Sequence, residues 1–276
     1  MTLGVVLALC SACIWGTGDF CGGRASTRMD AFQVLALSAA SGIVMLVVFA
    51  LAAGEPVRLD RSLLWSSAAG LCTAVGIVSL YSGLSIGSAA TVAPIAAVTA
   101  ALLPVIYGAA SQGMPGAIQL TGFVMALVGI FLVAQSASAV PGSGAGIRLG
   151  LLAGVGFGSF LVLIARGSAG SVFVPLAVAR GVMLLAALLV LLGRRTSVPR
   201  LTASPMALLA GLLDAGGTMF YLLAQHYVRL DIAAVLSSLY PAATVVLACV
   251  ITHEPVTRTQ WLGAAVCVAA VALIAA

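Results

Sequence analysis

The chain has 276 residues, of which 62% are apolar and only 7% charged, with a net charge of +5 and a mean hydropathy of +1.23. Soluble domains carry roughly a quarter charged residues, so a water-facing surface cannot be built from this composition, and little length is left for a soluble domain. All 12 basic residues are Arg, placed mostly in short gaps between apolar runs; that suits membrane flanks and not the basic stripe that holds nucleic acid.

A helix needs about 20 apolar residues to cross the hydrocarbon. Ten such segments follow one another: 3–21, 31–53, 63–84, 87–109, 116–135, 147–167, 171–192, 204–226, 229–251 and 258–275. The first lacks a basic leader and stays apolar through Phe20, so it reads as a span and not a signal peptide. Turn formers mixed with polar groups mark the breaks, among them Gly22-Gly23-Arg24, Gly54-Glu55-Pro56, Gly193-Arg194-Arg195 and His253-Glu254-Pro255. Ser136 to Gly146 is the one linker-like stretch, and it separates residues 1–135 from 147–276. The expected fold is an all-α integral membrane protein of ten transmembrane helices.

The two halves match at an offset of about 140 residues. Gly16-Thr-Gly18-Asp-Phe20 answers to Gly156-Phe-Gly158-Ser-Phe160, Gly42 to Gly181, Gly70-Leu71 to Gly211-Leu212, Gly76 to Gly217, and Gln119 and Gly122 to Gln260 and Gly263. Each half holds five spans, and an odd number makes the second copy cross in the opposite sense. An inverted repeat follows, the architecture on which alternating access is built.

On these grounds the chain resembles the drug/metabolite transporter superfamily, specifically its ten-helix EamA-type members. The match is carried by Val235-Leu-Ser-Ser-Leu-Tyr240-Pro241-Ala-Ala-Thr-Val-Val, by His253-Glu254-Pro255 and by Gln260-Trp261-Leu262-Gly263. Thr91-Val-Ala-Pro-Ile-Ala-Ala and Gln119-Leu-Thr-Gly122 are the first-half counterparts, and Trp15-Gly16 adds to them. Gly113 and Ala100 depart from the pattern, and Ser41 stands where the second repeat has Arg180. The resemblance implies a secondary transporter of a small organic solute in the cell membrane, an exporter, with an uptake permease of the same fold as the alternative. It also implies cytoplasmic termini and a pathway lined by helices 1, 3, 4, 6, 8 and 9. The Arg distribution opposes that orientation: Arg24, Arg28, Arg148, Arg194, Arg195, Arg200 and Arg258 would lie outside, against Arg58, Arg61, Arg166 and Arg229 within.

Ionisable groups at membrane depth are costly and mark function by default, which singles out Asp19, Arg180 and Asp214. Asp214 shares a helical face with Thr218, Tyr221 and Gln225 at i+4, i+7 and i+11, a polar stripe expected at the centre of the pathway. Arg180 lies at similar depth, so two readings stand: a pair that locks two helices, or a carboxyl that handles substrate or protons. Asp19 follows Trp15 by one turn, a pairing of carboxylate and ring suited to organic cations, although its place near the end of the first span also fits a solvated mouth. The resemblance adds Ser237 and Tyr240 to the pathway. His253 and Glu254 read as interfacial. Pro94, Pro104 and Pro241 are expected to bend helices 4 and 9, and the Gly150, Gly154, Gly158 spacing to bring helices close.

Cys10 and Cys13 form C-x-x-C without a second pair or a nearby His, so neither a metal nor another cofactor is expected. Gly16-Thr17-Gly18-Asp19 spells the G-x-G-D of intramembrane aspartyl proteases, but no acidic residue precedes Asp19, as that chemistry would require. A continuous polar channel lining and a Walker motif are also missing. The partners expected are a small-molecule solute, the lipid bilayer and protons, with no nucleic acid.

Overall fold

A computed structural model describes residues 1–57, 60–85, 89–134, 144–168, 170–253 and 256–275. Among them every long element is an α-helix: α1 (Thr2–Ser26), α2 (Ala31–Ala52), α3 (Arg61–Ser85), α4 (Ala89–Gln112), α5 (Ala117–Val133), α6 (Gly144–Gly167), α7 (Phe173–Gly193), α8 (Pro205–Ala224), α9 (Leu230–Ser237), α10 (Tyr240–Thr252) and α11 (Arg258–Ala275). Nine spans are long and apolar enough to cross a membrane, α9 and α10 together forming one. The tenth is α5, whose 17 residues reach about 26 Å, close to the hydrocarbon thickness. Ten spans put both termini on one face, called here the N-terminal face. Glu254 and most of the expected linker lie outside the described residues.

Pro241 explains the divided ninth span. It cannot donate to the carbonyl of Ser237 four residues back, and the chain takes a turn at Ser238 and Leu239 before helix resumes. Helix 4 behaves differently, because α4 stays continuous past Pro94 and Pro104.

Helix neighbours follow one rule. α1 packs on α8 and on the ninth span, and α6 packs on α3 and α4; α2 packs on α8 and α3 on α7; α2 meets α7, α4 meets α9, and α5 meets α11. Advancing every span by five turns this set into itself, so one rotation exchanges the halves. Glycines fix the register. A Cβ on Gly70 would meet the backbone oxygen of Ala179, and one on Gly211 would meet that of Ser38. Gly122 likewise sits against Ala270 O and Gly263 against Gly129 O. Each residue in these pairs has its counterpart 141 positions along the chain. In lipid there is no solvent to drive helices together, so such close backbone approach is what holds them.

This register corrects one sequence match. Gly42 seats on Gly211 O and Ala215, whereas a Cβ on Gly181 would meet nothing within 4 Å. The spacing of 141 pairs Gly42 with Met183, Ser41 with Val182, and Arg180 with Ala39. The helix therefore carries its arginine without a polar counterpart in the first half.

Charged groups outside the spans tie the same elements together. Glu55, after α2, accepts hydrogen bonds from the N–H groups of Val172, Phe173 and Val174 at 2.7, 2.9 and 3.0 Å, satisfying orphan donors at the start of α7. At the other end of these helices Asp30 caps α2 through Phe32 N at 2.8 Å, and Arg194, after α7, lies 4.6 Å above the Phe32 ring and 3.9 Å from Asp30.

We expect Gly211→Val to abolish the monodisperse detergent-extracted protein, since its side chain has backbone in its way, whereas Gly23→Ala, with nothing within 4 Å, leaves it intact. Fluorescence-detected gel filtration reads both; a monodisperse Gly211→Val protein overturns the packing argument.

Candidate functional site

The site grows from the way α1 is wedged between two neighbours. A Cβ at Gly16 would come within 2.6 Å of Ala243 on α10, and one at Gly18 within 3.3 Å of Leu213 on α8. At about 100° per residue, Trp15 and Asp19 point into the arc between those two faces, toward the gap that α8 and α10 leave. Trp15 fills the bottom of that gap. Its indole lies against Gly217, its Nε1 donates to the backbone oxygen of Asp214 at 3.1 Å, and its ring centroid is 6.0 Å from that of Tyr221 and 6.3 Å from that of Tyr240, the latter edge-on at 82°. Gly217 is what admits the indole to the surface of α8.

Asp19 stands one turn above Trp15. The helix α1 runs on to Ser26, about two turns beyond it. The Asp19 side chain is exposed, and among the described residues it has no hydrogen bond or ion pair, although Asp214 and Tyr240 are within electrostatic range. Asp214 is committed: its carboxylate forms an ion pair with Arg180 of α7, whose side chain is 7% exposed against 45% for Asp214. Arg180 is thus buried between helices while Asp214 keeps one side toward the gap. Two carboxylates and one guanidinium leave the gap with one negative charge in excess when both acids are ionised. A proteolytic dyad needs two carboxylates sharing a proton; Asp214 is instead engaged with an arginine.

The expected polar stripe on α8 is divided in depth. Asp214 opens to the gap, but Thr218 and Tyr221 are 1% and 0% exposed. Their hydroxyls are spent on backbone: Thr218 Oγ1 donates to Asp214 O at 2.9 Å, and Tyr221 OH to Leu161 O of α6 at 3.0 Å. Ser237 is also fully buried, its hydroxyl 3.3 Å from Ala8 O of α1, and Ser11 donates to Gly217 O at 2.8 Å. Every residue of α9 is buried, whereas α10 is intermediate or exposed wherever its side chains are described. The gap is therefore sealed toward the N-terminal face and open toward the other.

Sequence reading missed Asp231. It lies in the first turn of α9 with 0% exposure, against Gly108 of α4, and Arg229 holds it with Nε at 3.1 Å and Nη2 at 2.8 Å. The same guanidinium donates to Gln112 O at 3.2 Å and Gly113 O at 2.6 Å at the end of α4. The hydrogen bond to Asp231 pushes the Arg229 pKa above its ordinary value, against the lowering effect of burial and with the help of the Asp231 charge. The signal was the Arg229-Leu-Asp231 spacing at a helix start, where a carboxylate meets the helix dipole.

Ten spans in two exchangeable halves, around a gap with ionisable groups that is closed at one face and open at the other, make a polytopic carrier-type membrane protein. The EamA-like transporter family model matches the chain twice, over residues 2–135 and 144–276, and the chain belongs to that family. Among solved structures, one titled "Crystal structure of protein" is 20% identical over 98% of this chain and 95% of its own, with a TM-score of 0.76, so the two share a fold. No curated protein matches.

Removing one partner of the Arg180–Asp214 pair strands the buried guanidinium. Asp214→Asn should lower stability by on the order of 2 kcal/mol, less than the about 3–5 kcal/mol of a fully buried pair because Asp214 is half open. The double variant Arg180→Met/Asp214→Asn should recover most of it. Thermal unfolding in detergent decides the matter; equal melting temperatures for the wild type and Asp214→Asn would leave the pair without a structural role.

Proposed function

We propose that the protein is a secondary transporter that moves a small organic solute out of the cell in exchange for protons, with the cell (inner) membrane as its site and the N-terminal face in the cytoplasm. Each half, 1–135 and 147–276, acts as one five-helix unit joined by the 136–146 linker, and the solute crosses at their interface.

The observation that carries the reading is the unpaired, exposed Asp19 beside the arginine-bound Asp214 in a gap closed at one face. An ionised carboxylate at membrane depth costs several kcal/mol unless something neutralises it. Arg180 does this for Asp214. Asp19 faces the gap with no such partner among the described residues, and a proton or the positive end of a solute serves equally to neutralise it there. One site that either can occupy, but not both, couples their movements. Trp15 and Tyr240 offer ring faces beside it, and aromatic faces hold cationic groups. Sequence alone had placed the mechanistic weight on Asp214; the ion pair supports a reading in which Asp19 carries it and Asp214 and Arg180 fix the charge of the gap.

Flux in proteoliposomes, across a panel of amino acids, other metabolites and organic cations with and without a pH gradient, tests the reading. A gradient that draws protons through the carrier should accelerate flux of the right solute in the wild type. Asp19→Asn should keep the fold and lose that acceleration, with the rate falling at least about tenfold. An Asp19→Asn protein with the wild-type rate and the wild-type response to pH would remove this residue from the mechanism.

A further inference from the structure

A second cavity lies on the N-terminal face, at the Gln225 end of the α8 stripe. It has a volume of about 280 Å3, and beside Ala165 its lining consists of Tyr107, Ser111, Gln112, Arg166, Gln225 and Leu230. All six stand at ends of helices that reach that face: the last turns of α4, α6 and α8 and the first of α9. Its position relative to the gap is set by α8. Gln225 follows Tyr221 by one turn and Asp214 by three, on the same helical face, so the gap and this cavity lie at opposite ends of one stripe. What separates them is the layer made by Tyr221, fully buried, and its 3.0 Å hydrogen bond to Leu161 O. On the α6 side the stacking is the same, because Arg166 in the cavity lies little more than one turn beyond Leu161.

The cavity is rich in donors. The side-chain nitrogen of Gln225 is buried and has no partner among the described residues, an arrangement that costs about 1–3 kcal/mol if nothing ever meets it. Arg166 Nη1 donates to Tyr107 OH at 3.1 Å, which leaves the tyrosine free to donate onward, and its guanidinium lies 4.9 Å above the Trp65 ring and not beside a carboxylate. Three acceptors nearby are already taken: Gln112 Oε1 by Leu230 N at 3.2 Å, and Gln112 O and Gly113 O by Arg229.

Resting on the transporter reading above, we infer that this cavity is the cytoplasm-side half of the solute pathway, a donor-lined site for the carboxylate of a solute, with Tyr221 as the gate between it and the gap. In the conformation described, the gate is shut and each half opens to its own face. The other conformation follows from the repeat. α4 meets α9 at the N-terminal face, and the exchange of halves maps that contact onto the N-terminal half of α4 against α10 at the opposite face. Forming the second contact while releasing the Arg229–Asp231 clamp on α4 closes the gap and frees Tyr221.

Site-resolved thiol labelling tests this without knowledge of the solute. Gln225→Cys, introduced beside the six native cysteines and followed by mass spectrometry, should react with a charged, membrane-impermeant methanethiosulfonate applied from the N-terminal face and at least tenfold more slowly from the other. Tyr221→Phe, which keeps the ring and loses the bond to Leu161 O, should raise the rate from the far face several-fold, and Tyr221→Ala should raise it further. Valine and isobutyrate at millimolar concentration should slow labelling of a Ser111→Cys reporter in the same cavity, with Gln225 in place, and isobutylammonium should not. A Gln225→Cys thiol that reacts from neither face, or a far-face rate unchanged in both Tyr221 variants, overturns the gate; protection by the amine alone, or by none of the three, overturns the carboxylate site. Since labelling needs no transported solute, a flux screen without a hit bears on the proposed function and leaves this inference standing.

Discussion

Lipid tails are as apolar as leucine, so nothing in the hydrocarbon presses one helix of this bundle onto the next. What remains is contact at short range, and short range requires that side chains be absent where helices cross. Gly70, Gly211, Gly122 and Gly263 supply that absence at the crossings that relate the halves, each set against a backbone carbonyl of its neighbour. Everything else is arranged around these approaches. Because α1 is held by Gly16 on one side and Gly18 on the other, its intermediate face has nowhere to point but between α8 and α10, and that is where Trp15 and Asp19 sit.

The second constraint is charge. Water cannot solvate an ion inside the bundle, so each ionisable group there has to be neutralised by a neighbour or face an aqueous gap. Asp231 and Arg180 take the first course, the one clamped by Arg229 and the other bound to Asp214. Asp19 takes the second. The contrast between Thr218, Tyr221, Ser237 and Asp231, buried and hydrogen-bonded on the N-terminal side, and an exposed, unsatisfied carboxylate above them gives the bundle its two unequal ends.

Much of this was legible in the residues. Span positions followed from hydropathy because a helix in lipid must be apolar over a fixed length, and the repeat followed from glycines that cannot be exchanged where helices touch. The register within the second helix of each half was not legible: Gly42 and Gly181 are identical letters, yet only the first is a contact. The end of the first helix was not legible either, because Gly22 and Gly23 read as a break, whereas intrahelical hydrogen bonding carries α1 through them to Ser26. Thr218 and Tyr221 share a face with Asp214 as periodicity requires, but periodicity gives direction and not depth, and whether a polar face meets water or a carbonyl depends on the helix opposite. Asp231 escaped notice because a carboxylate at the start of a span looks solvated until the end of α4 is laid over it.

The pairing of residues across the repeat carries a consequence for how such a chain could have arisen and what it gained. Two identical five-helix chains assembled antiparallel about the same axis would carry each charge twice or not at all. Here Arg180 corresponds to Ala39 and Asp214 to Thr73 at the spacing of 141, and Asp19 corresponds to Ser159 in the matched first spans. Joining the halves in one polypeptide lets the two copies drift apart in sequence while their backbones stay related. A single guanidinium and an odd number of charges beside the axis are closed to a pair of identical chains, and they make the interior lopsided, so that a solute entering it meets one asymmetric site and not two equivalent half-sites.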